Sequence, residues 1–145
     1  MSHQASIRML EIACFVVIGF GLLLFSTLWT PTAGLLHRFV DLAFLPVDGA
    51  QNVASDPAWL MTAISGGVLA GWGVMAWLVT TRVFAHEPSA GKAIILPSLL
   101  VWFVIDGAGS ILVGAWFNMV MNTAFLLMFA VPVLSLTPRP GATAS

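Results

Sequence analysis

Charge is what this sequence has least of. Its 145 residues include 5 Lys+Arg and 6 Asp+Glu, 8% of the chain, against 59% hydrophobic residues. That scarcity excludes an ordinary soluble domain, in which about a quarter of the residues are charged. A net charge of −1 without a basic patch leaves nothing to neutralise phosphates, so nucleic acid is excluded as a partner. The single cysteine, Cys14, rules out a disulfide within the chain and reads as a small packing residue in an apolar run. His3, His37 and His86 fall outside the apolar runs and on different sides of them, so neither a bis-histidine haem nor a metal site is expected. A glycine-rich phosphate loop, a nucleophile elbow and a CxxC pair are also missing. The chain therefore reads as a non-enzyme that carries no cofactor.

Long uncharged windows take the place of charge: Ile12–His37, Pro57–Thr81, and Ala93–Pro138 interrupted only by Asp106. A membrane-spanning helix needs about 20 apolar residues, so each of the first two windows holds one span. The third, as one helix, would run roughly 69 Å at ~1.5 Å per residue, about twice the hydrocarbon thickness. It must fold back on itself. Four spans follow, at about Ile7–Leu28, Trp59–Thr81, Ala93–Val113 and Trp116–Leu136, in one domain covering residues 1–145. The expected fold is an all-α membrane protein, with the four helices in one antiparallel bundle. The first apolar run exceeds the ~7–15 residues of a signal-peptide core and no Ala-x-Ala site follows it, so it reads as a retained anchor.

Four spans put both termini and the central loop on one side. That side carries Arg8, Arg82, Lys92 and Arg139; the other holds only Arg38 among Asp41, Asp48 and Asp56. The excess of basic residues predicts cytoplasmic termini. Trp29, Trp59 and Trp116 fall where an outer aromatic belt would lie, whereas Trp72 and Trp102 belong deeper. The outer loop, residues 30–56, includes Gly34–Phe44, whose Leu35, Leu36, Phe39, Val40 and Phe44 recur at helical spacing. His37, Arg38 and Asp41 are expected on its opposite face. This predicts a short interfacial helix, either a lid on the bundle end or a surface for a substrate or partner. Pro46 and Asp48-Gly49 end it, and Asp56-Pro57 is the candidate start of the second span.

Within the spans, small residues mark where helices can approach. Gly67 and Gly71 form a small-xxx-small pair, read as packing within the chain with a homodimer seam as the alternative, and Gly114 is a further small position between the last two spans. Asp106, Ser110 and Gly114 recur every four residues and share a helix face, as do Asn118 and Asn122. A turn centred on Gly114 would set Asp106 opposite Asn122 and Ser110 opposite Asn118, two polar rungs about 12 Å and 6 Å from that end. The competing turn, at Gly107–Ser110, would bring Asp106 to the surface but leave a third span of only about 14 residues. A carboxylate inside a membrane is costly and is a functional candidate by default.

The runs LPVDG, SGGVLAGWGVMAW and WFVIDGAGSILVGAWFNMVMNTAF resemble, from about Asp41 to Pro132, small four-span bacterial membrane proteins of unknown function. The resemblance implies a bacterial inner membrane location and brings no activity or site residue with it. Two functions remain open. One is a non-catalytic accessory or scaffolding subunit that packs against other membrane subunits, or itself, through its glycine-rich second span and polar third and fourth spans. The other is a small homo-oligomeric transporter or channel, coupled to protons or cations, in which Asp106, Ser110, Asn118 and Asn122 line the site.

Overall fold

The computed structural model describes residues 1–29, 31–51, 53 and 55–136. Among these the chain forms helices only: α1 (His3–Ser26), α2 (Ala33–Phe44), α3 (Asp56–Val79), α4 (Pro88–Leu112) and α5 (Trp116–Leu134), with a π-helical turn (Thr80–Phe84) prolonging α3. Four of them, α1, α3 with its π turn, α4 and α5, are long and apolar enough to cross a membrane. Arg139, which contributes to the charge balance, lies outside the described residues.

Two of the long helices, α1 and α3, start at serines that cap them, which moves their ends away from the edges of the apolar windows. Ser2 accepts from the Ala5 amide at 3.2 Å, so α1 begins at His3 rather than near Ile7. At α3 the cap is Ser55, whose Oγ accepts from Ala58 at 3.4 Å; Asp56 and Pro57 already belong to the first turn. The central loop shrinks to residues 85–87, because the π turn carries α3 on to Phe84 and Pro88 opens α4. At its far end α1 closes with Ser26 and Thr27 hydroxyls donating back to the Leu23 and Leu24 carbonyls, at 2.7 and 2.6 Å.

Between α4 and α5 the chain reverses at Val113–Ala115. Gly114 takes φ +82°, a conformation that strongly favours glycine. Around it the Ala115 amide reaches the Ser110 carbonyl (2.8 Å) and the Gly114 amide reaches Ile111 (3.1 Å), the paired bonds of a Schellman C-cap. Gly107 and Ser110 therefore stay helical, and Asp106 lies inside α4. Nothing approaches within 4 Å of the space a Gly114 Cβ would fill, so this residue serves the turn and not helix packing.

Packing differs sharply from helix to helix. α1 lies along α3 for much of its length, with α5 on another flank. At the α1–α3 seam the backbones meet: a Cβ on Gly21 would come within 2.5 Å of the Ala70 nitrogen, and one on Gly66 within 2.8 Å of the Gly21 carbonyl oxygen. Gly73 closes against Ile18 and Cys14 in the same way. Gly67 and Gly71, the pair expected to pack within the chain, point elsewhere: both are exposed, and a Cβ added to either would meet nothing within 4 Å. Glycine is common along α3, so spacing alone does not distinguish the two faces.

α4 rests on α5 and touches α3 at few points. The two are tied at the π turn, where Phe84 is fully buried and Gly91 leaves room for its ring. The buried core, Leu10, Cys14, Val17, Phe84, Leu99, Phe129 and Val133 among others, gathers in the half nearest the π turn. That end is also closed by polar contacts, with His3 Nε2 2.9 Å from the Ala85 carbonyl and the N-terminal ammonium donating to Ser135 at 2.8 Å.

Candidate functional site

The opposite half, under α2, holds the polar residues. Asp106 and Ser110 are one turn apart on α4, and Asn118 faces them from the first turns of α5. The Asn118 Nδ2 donates to Ser110 Oγ at 2.7 Å. Ser110 in turn lies 2.8 Å from the Asp106 carbonyl oxygen and 3.3 Å from its Oδ1, either of which can take its one proton. A longer contact of 3.4 Å runs from Asn118 Nδ2 to the same Oδ1. The carboxylate, amide and hydroxyl thus form a short polarised chain. These donors to Asp106 are neutral.

The fourth expected member stands apart. Asn122 is 4% exposed, yet its Nδ2 has no hydrogen-bond partner among the described residues. The rung between Ser110 and Asn118 is present; the one between Asp106 and Asn122 is not, and the amide that reaches the carboxylate is that of Asn118. An orphaned buried amide is costly and calls for an account.

Two open cavities meet at this cluster. The first, of about 430 Å³, lies between α3 and α4, where those helices scarcely touch. Its walls are Ser65, Val68, Leu69 and Trp72 of α3, Trp102 and Asp106 of α4, and Asn118 and Asn122 of α5, with Phe20 and Phe39 completing it. The second, about 440 Å³, lies beneath α2, between Phe39, Val40, Ala43 and Phe44 and the α4–α5 reversal. Asp106 and Asn118 belong to both, so the polar cluster is a partition between them.

Aromatic rings frame the first cavity. Trp72 and Trp102 stack across the α3–α4 gap with centroids 5.8 Å apart, and Phe129 supports Trp72 at 5.6 Å. Phe39 is held on Phe20 at 5.2 Å, which fastens α2 over the site. Sequence reasoning gives these tryptophans only a depth. The available signal is spacing, since Trp102 precedes Asp106 by four residues and must share its face.

α2 departs from expectation at one residue. Asp41, expected on the solvent side with His37 and Arg38, is 5% exposed. Both of its carboxylate oxygens accept from the Gly49 amide, at 3.1 and 3.0 Å, and so tie the following loop back onto the helix. Arg38 remains exposed. The Thr32 hydroxyl donates to the Ser26 carbonyl, joining the start of α2 to the end of α1.

Among the described residues no three His, Cys, Asp or Glu side chains come together as a metal site would require. The chemistry available is that of one carboxylate with neutral donors, an unpartnered amide and a set of aromatic faces. It can hold a proton or a cation in apolar surroundings. No protein-family model matches the chain, and neither a curated protein nor a solved structure does.

Proposed function

We propose that the protein is a non-catalytic accessory or scaffolding subunit of a bacterial inner membrane, with its four long helices forming one antiparallel transmembrane bundle and both termini in the cytoplasm. One observation carries the subunit reading. Gly67 and Gly71 lie one turn apart on the exposed side of α3, and no described atom comes within 4 Å of the space above them. Apolar residues flank them, including Ile64, Val74 and Met75, each between 44% and 54% exposed. In lipid, a small-xxx-small groove lets a second helix approach closely, and van der Waals packing rather than hydrophobic burial drives that contact. The α1-facing glycines are already used, so this groove is available for another subunit. The orientation rests on Arg8, Arg82 and Lys92, which cluster at the end opposite α2.

The test is native mass and partner identification after purification from the source membrane in mild detergent. A stoichiometric partner that is lost in Gly71→Leu, with the helical content unchanged, supports the reading. A wild-type protein that remains monomeric overturns it.

A second reading, a homo-oligomeric proton- or cation-coupled transporter or channel, is favoured by a separate observation: Asp106 lies between two cavities and its side-chain donors are neutral. Gradient-dependent flux in proteoliposomes that disappears in Asp106→Asn, while the protein stays folded, would establish it. The two readings require different surfaces, α3 for one and the α3–α4 gap for the other.

A further inference from the structure

We propose that the cavity between α3 and α4 binds an organic ammonium ion with an apolar body, its charge against Asp106 and its body against Trp72 and Trp102. Binding here requires neither a partner subunit nor transport, so it stands whether or not those readings hold.

The walls themselves select the guest. The cavity, at about 430 Å³, is within the ~300–1,000 Å³ typical of small-molecule sites. Three helix faces converge on it with a regular spacing: Trp102 and Asp106 one turn apart on α4, Asn118 and Asn122 one turn apart on α5, and Val68 and Trp72 one turn apart on α3. A carboxylate whose side-chain donors are neutral favours a positive charge. An anion would be repelled. A neutral apolar guest would leave both Asp106 and Asn122 unanswered in an apolar surrounding.

An inorganic cation fits poorly as well. Sodium-like and divalent ions need a shell of oxygens, whereas most of this wall is aromatic or aliphatic carbon. An organic ammonium ion has the opposite need, a single counter-charge and polarisable faces. Trp72 and Trp102 line the cavity as a stacked pair, leaving their edges and outer faces for the guest, and cation–π attraction is strongest for tryptophan and for a cation stripped of water.

Asn122 supplies the independent observation. It lines the same cavity, is 4% exposed, and its Nδ2 has no acceptor among the described residues. A guest with an oxygen acceptor near its ammonium group would answer the carboxylate and this amide together. Amino alcohols have that chemistry, and so do the headgroups of zwitterionic lipids. Entry from the side is open, since α3 and α4 make few contacts and Ser65 and Val68 at the rim are exposed.

The experiment uses the full-length protein in nanodiscs of digalactosyldiacylglycerol, whose headgroup carries neither an ammonium nor a net charge that would itself gather the cation. Benzyltrimethylammonium is titrated while tryptophan fluorescence is followed, beside neopentylbenzene, its uncharged isostere. The expected result is saturable quenching by the charged probe, with the isostere at least tenfold weaker. Asp106→Asn should weaken the charged probe at least tenfold while helical content and melting midpoint are retained. Equal binding of the two probes, or an Asp106→Asn protein that binds the charged probe as the wild type does, overturns the proposal. Should Asp106→Asn fail to fold, the comparison of probes on the wild type decides alone. A parallel titration in discs containing phosphatidylethanolamine identifies the source. Competition by that lipid supports a headgroup as the guest, and unchanged affinity supports a free amine.

Discussion

The half of the molecule near the π turn and the half under α2 are built from the same helices and differ in almost every other respect. Near the π turn, Leu10, Val17, Phe84, Phe129 and Val133 interlock at 0–2% exposure. Under α2, α4 and α5 border two open cavities with a carboxylate between them, one shared with α3 and the other with α2. In a membrane both solutions are allowed, because an apolar side chain is nearly as well solvated by lipid as by protein. What separates them is shape. Phe84 and Gly91 fit one another and pull α3 and α4 together at one end, while the Trp72–Trp102 stack bridges the gap further along.

The largest expected contrast comes from cutting a ring out of each half. Phe129→Ala removes a side chain that is 2% exposed and should cost about 3–5 kcal/mol. Phe39→Ala removes a ring that already borders two cavities, and should cost about 1 kcal/mol or less. Denaturation by SDS in mixed micelles, followed by circular dichroism, measures both. Similar losses would mean that the cavities close up and that the two halves are not distinct.

Adjacent glycines on α3 give a smaller contrast, with effects of opposite sign. Gly66→Ala forces a Cβ against the Gly21 oxygen and the Phe25 nitrogen, at 2.8 and 2.9 Å, and should destabilise by about 1–3 kcal/mol. Gly67→Ala meets nothing and should stabilise the isolated chain by about 0.5–1 kcal/mol, the helix propensity difference. The same denaturation curve reports the sign. If both destabilise, Gly67 is covered in the folded protein after all.

The smallest contrast lies within the polar cluster. Asn118→Ala breaks the 2.7 Å bond to Ser110 and should cost about 1 kcal/mol. Asn122→Leu removes an amide nitrogen that has no protein partner, and should be neutral or mildly stabilising when no guest is bound. A loss at Asn122 as large as at Asn118 would show that the Asn122 amide has a partner, such as a bound water or guest.

Local chemistry is the legible part. The four apolar helices and the breaks at Pro46 and Asp48-Gly49 follow from a few neighbouring residues. The caps, however, are Ser2 and Ser55 rather than the expected Asp56, and of the two candidate reversals the structure takes Gly114, with its positive φ, over Gly107–Ser110. The spacing of Asp106, Ser110 and Asn118 on facing helices follows from that reversal, since equal numbers of residues on either side of a turn return to similar depth. Asn122 obeys the same arithmetic, yet its Nδ2 finds no partner among the described residues, and Asn118 reaches the carboxylate in its place. Asp41 misleads for a related reason: helical spacing puts it beside Arg38, but the Gly49 amide that holds it inward belongs to a loop whose return path no local pattern encodes.

The sequence by itself determined the helices and their approximate lengths, because backbone bonds in apolar surroundings must be satisfied within each helix and length is set by uncharged residues. Only the tertiary structure decided which faces meet. A soluble helix advertises its buried side by contrast with a polar one, and these long helices are apolar over most of their surface. Whether Gly66 or Gly67 lies at the α1 seam, and whether α3 and α4 close or part around Asp106, therefore depends on how side chains of nearly equal polarity fit together in space.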